Sequence, residues 1–93
     1  MIQSFGDRDT ELLFKRERIK KLPLDLLQRA RNKLLIIHAA ASESDLIIPP
    51  GNHFEKLKGD KKGWCSIRIN DQWRVVFKWA NGTARDVSIT DYH

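Results

Sequence analysis

Residues 64–79 hold two runs of strict alternation separated by three residues, a pattern that few folds accommodate. In Trp64–Ile69 the apolar Cys65, Ile67 and Ile69 alternate with Trp64, Ser66 and Arg68, and in Trp73–Trp79 the residues Trp73, Val75, Phe77 and Trp79 alternate with Arg74, Val76 and Lys78. A period of two predicts strands with one apolar face each. Joining them through Asn70-Asp71-Gln72 opposes Ile69 to Trp73, Ile67 to Val75 and Cys65 to Phe77, so every core residue falls on one side of an antiparallel hairpin.

A second hairpin is expected through Ala80-Asn81-Gly82 into a strand containing Val87 and Ile89. Its connection should have odd length, because a two-residue Asn-Gly turn in unbroken register puts Val87 and Ile89 on the polar face. The first half of the chain has helical period. Met1–Phe5 is β-prone, and Asp7 or Asp9 is placed to cap a helix over Asp9–Arg18 with Leu12 and Leu13 on its apolar edge. Beyond Pro23, Leu27, Ala30, Leu34, Ile37 and Ala41 recur at spacings of three and four, predicting a longer helix with Arg29, Arg31 and Lys33 directed outward. Ser42 or Ser44 can cap a short turn, and Ile47-Ile48-Pro49-Pro50-Gly51-Asn52 reads as a loop. The expected architecture is α+β: a three-stranded antiparallel meander, helped by the N-terminal strand, with two helices on its Trp73/Val75/Phe77 face.

With 93 residues the chain is expected to form one domain, residues 1–93. No apolar run approaches the ~20 residues that cross a bilayer, and Met1–Asp7 lacks a basic region followed by an apolar stretch, so the expected compartment is the cytoplasm, with no membrane partner. One cysteine and three histidines offer no structural zinc spacing, and neither metal nor cofactor is expected. The net charge of +5 is unevenly placed. Lys15, Arg16, Arg18, Lys20, Lys21, Arg29, Arg31 and Lys33 face only Glu17 and Asp25 in their stretch, and Lys56, Lys58, Lys61 and Lys62 form a second group. One such run is usually a solvated helix face, but two point to a polyanion, and nucleic acid leads.

The hairpin register also opposes Arg68 to Arg74 on the polar face, where like charges repel by about 0.2–1 kcal/mol. Both can splay into solvent, or a bound phosphate can separate them. The same alternation turns Ser88, Thr90 and Tyr92 to this face, bringing the segment Asp91-Tyr92-His93 beside the arginines, provided the strand ends before His93. Lys58, in Leu57-Lys58-Gly59-Asp60, is expected at the rim of the same face. His38 reads as a boundary or core residue and Cys65 as core. Trp73 and Trp79 should be core, and Trp64 is available for stacking or for an interface.

Pro49-Pro50-Gly51-Asn52, Leu57-Lys58-Gly59-Asp60, Ser66–Arg74 and Asp91-Tyr92-His93, with the Met-Ile-x-Ser-Phe start, resemble the HigB toxins of bacterial toxin–antitoxin systems, a branch of the RelE/ParE superfamily that includes the plasmid-maintenance killer proteins. The resemblance spans essentially the whole chain. It implies a small RelE-like microbial RNase fold and an endoribonuclease cutting messenger RNA in the ribosomal A site without metal. It also implies a HigA-like helix-turn-helix antitoxin as partner, with operator DNA reached only through that antitoxin. Lys58, Arg74, Asp91, Tyr92 and His93 map onto the family's active-site positions. Arg68, Lys56, Lys61 and Lys62 are expected to meet RNA phosphates, and Lys20, Lys21, Arg29 and Arg31 the ribosome. Some members carry a histidine three residues before the lysine, where this chain has Glu55; either Glu55 or His53 substitutes, or the position is dispensable. The alternative within the superfamily is a ParE-like toxin that poisons DNA gyrase by binding it.

Overall fold

The structure, a computed structural model, describes residues 1–92 and keeps the first hairpin's register residue for residue. Strand β2 (Trp64–Arg68) pairs antiparallel with β3 (Trp73–Ala80), opposing Cys65 to Phe77, Ile67 to Val75 and Arg68 to Arg74. The turn is held by Asn70, whose Oδ1 accepts from the N–H groups of Gln72 (2.9 Å) and Trp73 (2.8 Å). Strand β1 (Glu55–Lys56), absent from the sequence expectation, adds to the β2 edge, giving a four-stranded sheet in the order β1-β2-β3-β4 with β4 at Thr83–Asp91.

The second hairpin departs from expectation. Ala80 pairs with Thr83, so the turn is the two residues Asn81 and Gly82, both at positive φ (53° and 75°), as an inverted type I turn requires. The parity is restored further along. Lys78 pairs with Arg85 but Val76 with Ser88, so β4 carries one extra residue there, a bulge at Asp86 with φ 52°. The bulge returns Val87 and Ile89 to the core face, where they are 0% and 1% exposed. Its N–H donates to Ser4 Oγ (2.9 Å).

The outer edge of β4 is closed by the N-terminal half. Met1–Gly6 runs parallel to it with bridges at Ala84 and Val87, and Thr10 Oγ1 accepts from Ile89 N–H (3.0 Å) while Lys21 Nζ donates to Ile89 O (2.6 Å). Helix α1 spans Arg8–Phe14, capped by Asp7, whose carboxylate accepts from Thr10 N–H at 2.7 Å. It ends four residues before the expected Arg18, because the chain turns at Arg16 through φ 69° to send Ile19 and Leu22 into the core. Helix α2 spans Leu27–Ala39 behind a 3₁₀ turn at Leu24–Leu26 and buries Ala30, Leu34 and Ile37. It stops at Ala40, which is buried in place of Ala41. His38 lies at a boundary, its Nδ1 accepting from Ile2 N–H (3.1 Å) and its ring meeting Phe14 edge-on. Helix α3 (Ser44–Ile47) is held by Asp45, which accepts from Ala41 and Ser42 N–H, and not by a serine cap; a 3₁₀ turn at Pro50–Asn52 follows within the expected loop. Trp73 is 9% exposed and Trp79 partly buried against Phe77. Among the described residues no helix is long and apolar enough to cross a membrane.

Candidate active site

The core lies between the helices and one face of the sheet, so the site is built on the other face, where Arg68 and Arg74 oppose each other. Arg74 is the buried member: its side chain is only 10% exposed. Its Nε donates to Ser66 Oγ (2.9 Å), one Nη donates to Ser66 O (3.4 Å) and to the His53 carbonyl, and the other stands 3.6 Å from Glu55 Oε1. A guanidinium carries five donors in a rigid fork, so these tethers fix its plane. The Tyr92 ring lies over it, 5.9 Å from centroid to Cζ.

The opposed arginines are compensated within the chain, a correction to the reading that a bound phosphate must separate them. Glu55 faces Arg74, Asp71 pairs with Arg68, and the His53 ring nitrogen stands 3.5 Å from Arg68. The alternative between His53 and Glu55 therefore resolves spatially into contact by both, one at each arginine. His53 is positioned by its left-handed backbone (φ 42°) after the Pro-Pro-Gly-Asn turn and by fully buried Asn52, which donates to Leu46 O and accepts from Lys33 Nζ (2.7 Å). Lys33 is thus turned inward rather than outward. Burial foremost, then Arg29 and Arg68, lowers its pKa.

Other expected residues divide. Tyr92 is at the arginines, whereas Asp91 pairs with Trp73, which places it on the Ile89 side of β4, and its carboxylate accepts from Gln72 Nε2 (3.1 Å). His93 lies outside the described residues. Lys58 is exposed and begins the 3₁₀ turn Gly59–Lys61, one residue past Leu57, whose N–H donates to Trp64 O. That register sets it at the rim, beyond the two strand positions, roughly 7 Å, that separate Trp64 from Ser66. Lys56 instead meets Glu43 of α3 at 2.9 Å, while Lys61 lies over the Trp64 ring and Lys62 is exposed. On the helical side Lys20 and Arg29 are exposed, but Lys21 closes the β4 edge and Arg31 Nε donates to Leu13 O (3.1 Å), so both of these tie the fold together. Cys65 is buried as expected, its thiol pushed up to about 12 by burial foremost and by Glu43, against a lowering from Lys56. Among the described residues no three of His, Cys, Asp and Glu converge as a metal centre requires.

Ser66, Asn52 and the His53 carbonyl are the parts that sequence reasoning missed. The one available signal was Ser66 itself, a small hydroxyl diagonal to Arg74 in the predicted register.

The sequence matches, over residues 3–93, the HigB-like toxin family, described as RelE-like toxin of type II toxin-antitoxin system HigB. It is 45% identical over 85 residues to Toxin HigB-1 of Vibrio cholerae, covering 90% of each chain, and 31% identical to Endoribonuclease HigB of Proteus vulgaris, covering all of both. In fold it resembles YoeB in the YoeB-YefM complex from Staphylococcus aureus (TM-score 0.62, 19% identity, 100% and 98% covered). It also resembles YafQ from E. coli (TM-score 0.59, 17% identity, 98% and 91% covered).

Proposed function

The chain belongs to the HigB-like toxins, the RelE-like toxins of type II toxin–antitoxin systems, and from that premise we propose that it is a ribosome-dependent endoribonuclease that cuts messenger RNA in the A site. The observation that carries the reading is Arg74: a guanidinium held nearly buried by Ser66 and His53, opening onto the sheet face beneath Tyr92, in a chain aligned end to end with an endoribonuclease. Fixed donors of this kind stabilise charge that develops in a transition state, because they need no reorganisation when it forms.

In this mechanism the RNA supplies its own nucleophile. The 2′-oxygen bonds to the adjacent phosphorus as its proton leaves to a base, the bond from phosphorus to the 5′-oxygen breaks, and that oxygen takes a proton from an acid. The fragments carry a 2′,3′-cyclic phosphate and a 5′-hydroxyl, and no metal takes part. Arg74, with Arg68 and Lys58 adding field, faces the extra charge of the phosphorane; displacement of the loosely placed Glu55 frees one Nη for a phosphate oxygen. Tyr92 suits stacking on a splayed base or proton donation. His93 has an unperturbed pKa near neutrality, which matches proton transfer. Glu55 and His53, at the arginines, are further proton carriers, and Asp91 acts at the margin through Gln72. A site with so few groups depends on the ribosome to bend the message into line.

Arg68, Lys61 and Lys62 meet RNA phosphates, and Lys20 and Arg29 meet the ribosome. A HigA-like antitoxin neutralises the toxin, links it to operator DNA, and the system works in the cytoplasm. The gyrase-poisoning alternative is disfavoured by the full-length similarity to a relative named as an endoribonuclease. The test is cleavage of message on programmed ribosomes by the purified chain, with the product ends identified. A 5′-hydroxyl and a cyclic phosphate are expected; a 5′-phosphate excludes the 2′-hydroxyl route, and gyrase inhibition without cleavage excludes the nuclease.

A further inference from the structure

Resting on the ribonuclease reading, the geometry points to a second anion-binding cleft, formed by Lys62, Lys78 and Arg85, that holds the backbone of the substrate RNA strand away from the Arg74 site. The cleft has a volume of about 360 Å³ at the β3–β4 hairpin end, and its polar lining is Lys62, Lys78, Asn81, Thr83 and Arg85, three cations with no carboxylate among the lining residues. Lys78 and Arg85 are register partners, so two like charges oppose each other here as Arg68 and Arg74 do at the other end of the sheet.

Their local partners are weak. Lys78 meets Asp86 at 3.4 Å with both side chains about half exposed, and Arg85 Nε donates to the neutral Gln3 amide (2.9 Å). An exposed pair of this kind contributes ~0–1 kcal/mol, little enough for a phosphate to compete with it. Beside the cleft, the Trp64 ring lies 5.1 Å from Lys78 Nζ and 5.2 Å from Lys61 Nζ, drawing both ammonium groups to one place.

Position makes the occupant the substrate strand. Arg74 and Lys78 lie on the same strand and the same face, four residues and roughly 13 Å apart. Between them the paired Val76 and Ser88 present short side chains, leaving a low floor between two cationic ends. A groove with backbone-tracking cations and an aromatic ring is how single strands are held without sequence preference. The cleft thus sets the register of the strand over Arg74 while taking no part in the chemistry.

The test uses Lys78→Gln with Arg85→Gln in the full chain, both residues being exposed. Binding of an uncleavable 2′-O-methyl octanucleotide and of the corresponding dinucleotide is measured by fluorescence anisotropy over a salt series. The double variant is expected to weaken octanucleotide binding, with a salt slope shallower by about 1.4, or about 0.7 for each of two lost phosphate contacts. Dinucleotide binding should be unchanged, because so short a ligand cannot reach from Arg74 to Lys78. Equal losses on both lengths reduce the cleft to a general field and overturn the proposal. It is likewise overturned if octanucleotide binding is unchanged while ribosome association falls, which assigns the cleft to ribosomal RNA, or if the unaltered chain binds no octanucleotide at low salt. Message cleavage by the unaltered chain on ribosomes tests the ribonuclease reading separately, so each can fail without the other.

Discussion

Replacing Arg74 with lysine keeps the charge and removes the fork, and the structure sets what this should cost. The Nε bond to Ser66 Oγ and the Nη bond to the His53 carbonyl are both lost, and the Ser66 side is fully buried. Hydrogen bonds to charged groups contribute about 1.5–3 kcal/mol each, and an ammonium group can recover part of that, so a net loss of about 2–3 kcal/mol is expected. For a domain this small each kcal/mol moves the melting temperature by about 4–8 °C, which gives a drop of roughly 8–24 °C. Domains have about 5–15 kcal/mol of stability, so Arg74→Lys should still be folded in the cold. Catalysis should suffer separately, since losing one oriented donor to a transition-state oxyanion costs about 2.7–4 kcal/mol, or roughly 100- to 1,000-fold in rate. Single-turnover cleavage on programmed ribosomes, run well below the variant's melting temperature as followed by circular dichroism, keeps the two effects apart. Ser66→Ala is the companion, because it leaves the guanidinium in place but unanchored; a loss of up to ~100-fold with substrate binding retained is expected from misplacement alone. Near-normal cleavage by a folded Arg74→Lys would refute the reasoning, showing that the position supplies charge and that its tethers are irrelevant to chemistry.

Removing Tyr92 and His93 should abolish growth arrest in cells lacking antitoxin while leaving the melting temperature nearly unchanged, since Tyr92 is 41% exposed; arrest with cleaved messages by the folded truncation would show that these residues are dispensable. Deleting Asp86 should prevent folding, because the one-residue shift turns Ala84 or else Val87 and Ile89 away from the core, whereas Asp86→Gly, which accepts φ 52° without strain, should be tolerated with stability altered by about 1 kcal/mol or less in thermal melts. Cys65 keeps its proton in the folded chain up to about 12, above the ~8.5 of a free thiol. The folded state then binds more protons than the unfolded one, so stability falls as pH rises through that window, and Cys65→Ala should flatten the decline measured by denaturant melts. Alkylation of the native thiol near pH 8 should accordingly proceed only as fast as the chain opens.

Much of this fold was legible because alternation is a local property with a global consequence. Cys65, Ile67, Val75 and Phe77 admit one pairing that buries all of them together, and the opposition of Arg68 and Arg74 follows from it without further information. The same logic required a change of parity before Val87 and Ile89 and located it in the turn. Asn81 and Gly82 form the short turn their chemistry favours, and the parity changes at Asp86 instead, where contact with Ser4 of the N-terminal segment stabilises the bulge. A bulge held from 82 residues away leaves no periodic trace in the strand that carries it.

The candidate site divides along the same line. Sequence alone brought Arg68, Arg74 and Tyr92 to one face, since strand parity suffices for that. Only the tertiary structure decided that Arg74 is buried and Arg68 is not, because that depends on Asn52 anchoring the turn so that the His53 carbonyl, with Ser66 beneath, holds the guanidinium. It likewise took Lys21 and Arg31 out of the basic surface, spending their charged ends on backbone carbonyls of β4 and α1. Composition counts charges and periodicity assigns them to faces. Whether a charge is available to a ligand depends on the polar groups that distant parts of the chain leave in need of a partner.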